Sequence, residues 1–131
     1  MLTALPEQTQ AVVLADTPNL RKDPASCLAG FRVMLSDCTT RRGQALFLEH
    51  DEAERATAEA NGAVFASLTE HVCPYDPCPV VSEDTLMWRN ESHLTATYAQ
   101  QLWPAMRDIV ADALAGEAGT STVDDIPSSE P

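Results

Sequence analysis

Along this chain short apolar runs alternate with polar turns, and a sustained helical period appears chiefly in the last third. The run Ala11-Val12-Val13-Leu14-Ala15 is continuous rather than alternating and stops at Asp16-Thr17-Pro18. Such a run predicts a strand buried on both faces. Ala63 to Leu68 predicts a second strand. Between them, Asp23-Pro24 is a helix-start signal, and Leu28, Phe31 and Leu35 follow at helical spacing, so one helix is expected across Asp23 to Cys38. From Gln44 to Ala60, the apolar positions Leu48, Ala53, Ala56 and Ala60 among charged residues predict an amphipathic helix, ended by Asn61-Gly62, a helix-stop pair. Strand, helix, strand in this order suggests a parallel crossover unit of an α/β fold.

Further on, the segment from His71 to Asn90 reads as a loop with two proline-flanked cysteines, followed by the extended pieces Pro79–Val81 and Thr85–Trp88 around Ser82-Glu83-Asp84. That pattern predicts a hairpin. Thr95 is the expected N-cap of a final helix, with Leu94, Tyr98, Leu102, Met106 and Ile109-Val110 on one stripe. Pro104 interrupts it, and either kinks the helix or starts another. Met1 to Gln8 is expected to be the end of a helix that begins elsewhere. Residues 1–115 are expected to form the folded part, and 116–131, polar and acidic, a disordered tail.

At 131 residues the chain accommodates one modest domain. Its charge of -12, from 20 acidic against 8 basic residues, repels phosphate backbones and anionic lipid, so neither nucleic acid nor a membrane surface is expected as partner. Much of the acid is local: Glu49, Asp51, Glu52, Glu54 and Glu59 lie on one predicted helix, a solvated face that also carries His50. No stretch has the length of a membrane span and none reads as an export signal, so direct membrane insertion is not expected and expression alone would leave the chain in the cytoplasm. The four cysteines, in two local pairs, point instead to an oxidising compartment.

The candidate chemistry lies in Trp-Arg-Asn-Glu-Ser-His, residues 88–93. A histidine just ahead of a helix is held on a loop anchored at both ends, and a residue three positions earlier can reach back to its other ring nitrogen and fix the tautomer. Here His93 is the candidate base and Asn90 its candidate orienter. Spacing alone equally suits a histidine that merely packs at a loop-helix junction. The cysteines leave three states open as well. They form disulfides in one of three connectivities, Cys73 and Cys78 join His71 and His93 around zinc, or all four stay free thiols in a cytosolic chain.

Taken together, VVLADTP, the cysteines of CLAGFRVMLSDC, the loop CPYDPC and above all LMWRNESHLTATYAQQL resemble the C-terminal portion of the SGNH domain fused to bacterial membrane acyltransferases that modify cell-surface polysaccharides. The resemblance runs from about Ala11 to Ala113. It implies a partial flavodoxin-like three-layer α/β sandwich with few parallel strands and a disulfide-clamped loop, and the local pairing Cys27–Cys38 with Cys73–Cys78, which is also the shortest-range option. It implies that His93 is the base serving a serine acyl carrier on the extracytoplasmic side of the membrane. The partners implied are the front of the domain, a membrane acyltransferase domain and a cell-surface polysaccharide acceptor; no cofactor is implied.

Two departures qualify this. Asn90 stands where the family has aspartate, and an amide orients an imidazole without stabilising its cation; in serine-protease triads that exchange costs roughly ten-thousandfold. The Gly-Asp-Ser motif that carries the family's nucleophile is missing, as are its oxyanion glycine and asparagine. The chain is therefore expected to be inactive alone. A non-catalytic glycan- or protein-binding module built on the Cys73–Asn90 loop, and a small zinc-stabilised interaction protein, are the alternatives.

Overall fold

The structure, a computed structural model, describes residues 2–116. Met1 and all of the tail predicted at 116–131 except Gly116 lie outside the described residues. Strand β1 (Val12–Leu14) pairs in parallel with β2 (Val64–Ala66), with Val13 beside Phe65. Helices α1 (Pro24–Leu28), α2 (Arg42–Ala45) and α3 (Leu48–Ala60) occupy the crossover between them. The mixed α/β character and the crossover are thus as the sequence suggests.

Alternation along the paired strands sends Val13 and Phe65 to one face, where they cluster with Ala15, Ala58, Ala63 and Leu2. The other face is open: Val12 and Leu14 are 37% and 39% exposed. Burial on both faces, expected from the continuous apolar run, is not observed, because this two-stranded sheet is covered on one side only. Helix α3 also departs from its pattern. Leu48, Ala53, Ala56 and Ala60 are exposed, whereas Asp51, Glu54 and Ala58 turn toward the rest of the molecule. Alanine methyls bury little area and orient a helix weakly. The Arg55 guanidinium lying 4.6 Å from the Phe65 ring centroid adds to the contact with the sheet.

The single helix predicted across Asp23 to Cys38 is instead α1, a turn, and a 3-10 segment Leu35–Cys38. Distance explains the break. A continuous helix would hold Cys27 and Cys38 about 16 Å apart at 1.5 Å per residue, whereas their disulfide joins Cα atoms 5.7 Å apart. The chain doubles back at Gly30, where a Cβ would meet Val33 Cγ2 at 2.6 Å, and Arg32 adopts φ +55°. Asp23 caps α1 as expected, accepting from Ser26 N–H, and these hydrogen bonds hold its carboxyl below the ordinary range. Near the N-terminus only a 3-10 turn, Leu2–Ala4, forms in place of the expected helix end.

The main core gathers around Trp88, Leu20, Met87, Val72 and Val80, each at most 1% exposed. Trp88 keeps its indole N–H satisfied by donating to Pro79 O at 3.1 Å, as a buried tryptophan must. The predicted hairpin is present as β3 (Val81–Ser82) and β4 (Thr85–Leu86), turning at Glu83 with φ +54°. Helix α4 (Thr69–Val72) precedes it. Thr95 caps α5 (Ala96–Gln101) by accepting from Tyr98 N–H, and Pro104 sits in the first turn of a separate helix, α6 (Trp103–Ala115). The proline therefore starts a helix rather than kinking one, since its missing N–H is no loss in a first turn. Tyr98 packs into the core and donates its hydroxyl to His71 O, while burial pushes its phenol above the usual value.

Candidate active site: a histidine loop at the end of a parallel strand

The site is a closed loop. An isolated bridge pairs Trp88 with Leu94, Arg89 N–H donates to His93 O at 2.7 Å, and Thr95 N–H donates to Met87 O at 2.9 Å. At one foot stands the fully buried Trp88; at the other, Leu94 leads into the Thr95 cap. Five residues, Arg89 to His93, are thus held between two anchored ends.

Inside this loop Asn90 folds over its own backbone. Its Oδ1 accepts from Ser92 N–H at 3.1 Å and His93 N–H at 2.9 Å, and lies 3.0 Å from His93 Nδ1. The two backbone donors identify that atom as the amide oxygen. An oxygen that can only accept requires a proton on Nδ1, so the neutral ring carries its lone pair on Nε2. His93 is exposed. The arrangement presents a proton acceptor outward and fixes its tautomer from behind.

Ser92 Oγ also comes within 3.3 Å of His93 Nδ1. The sequence does not anticipate this approach, but it is on the protonated nitrogen, the wrong side for activation. Ser92 is no substitute for the missing nucleophile.

A tie from the far end of the chain fixes where the loop points. Thr17 Oγ1 donates to Ser92 O at 2.8 Å and Leu20 N–H donates to Glu91 O at 2.7 Å. These residues continue directly from β1, so His93 stands just beyond the carboxyl end of a parallel strand. In open α/β sheets that is the customary place for ligands. Thr17 was not among the residues singled out from the sequence, although a polar side chain right after a predicted parallel strand is a usable signal. Leu94, next to His93, lines an apolar groove of about 610 Å³ together with Leu68, Leu102, Trp103 and Met106.

Both disulfides form in the local pairing, Cys27–Cys38 and Cys73–Cys78, and no cysteine is free. The second staples a loop that Cys78 N–H ties to Thr40 O and that leads through Pro79 to the Trp88 indole. With these sulfurs bonded to each other, the zinc set of Cys73, Cys78, His71 and His93 is not assembled. Among the described residues no group of three or more His, Cys, Asp or Glu is placed to hold a metal ion. His50 lies exposed on α3. Among the described residues no helix is long and apolar enough to cross a membrane.

No protein-family model, curated protein or solved structure matches the chain.

Proposed function

We propose that His93 is the base of an SGNH-type O-acyl-transfer site, and that the chain is the rear part of a flavodoxin-like three-layer domain whose nucleophilic serine comes from outside these 131 residues. The observation that carries this reading is the Asn90–His93 pair, which protonates Nδ1 and leaves Nε2 free to accept a proton. The position of the loop beyond a parallel strand, and the uncovered sheet face at Val12 and Leu14, agree with it.

In the proposed reaction an incoming serine hydroxyl gives its proton to His93 Nε2 as its oxygen attacks the acyl carbonyl. The imidazolium then returns the proton to the departing alkoxide. Asn90 holds the ring but carries no charge to balance the cation, so the reaction is slower than with a carboxylate. The acyl acceptor is a cell-surface polysaccharide, the working partner a membrane acyltransferase domain, and the compartment the extracytoplasmic side, where disulfides persist.

The test begins with the coding sequence directly upstream. An in-frame Gly-Asp-Ser segment, co-produced with this chain, should yield ester hydrolysis that His93→Ala abolishes. The chain alone should show none. Covalent labelling of one of its own serines by a fluorophosphonate probe refutes the reading.

A further inference from the structure

We infer that the disulfide-stapled loop from Ala29 to Leu35 is a docking element for an anionic phospholipid surface. Its apex presents Phe31 at 87% exposure, Met34 at 67% and Leu35 at 51%. The loop is built to do so: the Cys27–Cys38 bridge closes its base, Val33 folds inward over Gly30, and Arg32 in the left-handed region turns the apex outward. Three large apolar side chains exposed within five consecutive residues make a patch rather than a scattered residue, and such patches mark interaction sites.

Charge selects the partner. Five of the chain's 8 basic residues, Arg21, Lys22, Arg32, Arg41 and Arg42, fall within 21–42, against Asp23 and Asp37. Arg42 is paired with Glu70 at 2.9 Å and Arg21 donates to Gln44 O, so the cations placed at the loop itself are Lys22 and Arg32. Asp23 is engaged by Ser26, and Asp37 accepts from Met34 N–H. Arg32 lies 5.1 Å from the Phe31 ring centroid, and Lys22 Nζ reaches Asp37 O across the loop. The apolar apex and two cations therefore share the loop, and the repulsion of anionic lipid expected from the chain's charge of -12 is locally relieved, because acids farther than roughly 8 Å are screened at physiological salt.

Size argues against a protein in this role. A stable protein interface buries about 800 Å² on each side, and three side chains provide roughly half of that. A bilayer has no such threshold, because a few apolar side chains enter the headgroup region while each nearby cation multiplies partitioning by about five.

Co-flotation of the full oxidised chain with phosphatidylcholine vesicles, with and without phosphatidylglycerol, tests the inference. Binding is expected to the phosphatidylglycerol vesicles only and to weaken with salt. Phe31→Ser should reduce it. The pair Lys22→Gln with Arg32→Asn should lower it on the order of twentyfold; asparagine tolerates the positive φ. No binding, equal binding to neutral vesicles, or indifference to these variants overturns the inference. So does concentration-dependent dimerisation lost in Phe31→Ser, which would make a second copy the occupant. None of these readouts involves His93, so the outcome is independent of the acyl-transfer proposal.

Discussion

Replacing Asn90 by alanine removes one oxygen on which three contacts converge, the N–H groups of Ser92 and His93 and the protonated Nδ1 of His93. A net hydrogen bond is worth about 1 kcal/mol, so loss of the Nδ1 contact should shift the tautomer ratio of His93 about fivefold toward the Nε2–H form. The two backbone donors lose their acceptor in a loop that water reaches, which should cost roughly another 1 kcal/mol of overall stability. Long-range ¹⁵N–¹H correlation of the neutral imidazole reads the ratio directly. In the parent chain the Nδ1–H form should dominate, and in Asn90→Ala it should not. A predominantly Nε2–H ring in the parent chain, or a ratio indifferent to Asn90, would refute the site argument at its root.

Other expectations follow from the same contacts. Cys73→Ser with Cys78→Ser, opening a loop of sequence separation 5, should cost about 2 kcal/mol, and the Cys27–Cys38 pair, of separation 11, about 3 kcal/mol, measured by urea denaturation. Trp88→Ala leaves a cavity in a fully buried site and orphans Pro79 O, so a loss of about 3–5 kcal/mol is expected, with the signal of His93 broadened because its loop has lost one foot. The carboxyl of Asp23 titrates lower in the folded than in the unfolded chain, so its stabilisation is present above its usual value of 3.8 and is lost as the pH falls through the folded one. Asp23→Asn keeps a capping side chain and should flatten the acid limb of a stability–pH curve while changing neutral stability little.

Local chemistry was readable from the residues, and long-range geometry was not. The strands β1 and β2 themselves, the hairpin at Glu83, the Thr95 cap and the helix stop at Gly62, φ +73°, each depend on a few adjacent residues, and the parallel pairing follows from their order. The Asn90–His93 contact spans three residues and belongs to the same category. The single helix across Asp23 to Cys38 does not form although Leu28, Phe31 and Leu35 have helical spacing, because a disulfide that brings the Cα atoms of Cys27 and Cys38 to 5.7 Å overrides it. The inward face of α3 failed because alanines give a weak pattern. Thr17 holding Ser92 across 75 positions has no periodicity to betray it.

That last contact has a mechanical consequence. Because Thr17 and Leu20 follow β1 and grip the backbone of Glu91 and Ser92, the imidazole's loop is moored to the strand end as well as to its own two feet. The nitrogens of His93 are therefore natural reporters for anything that pairs with β1.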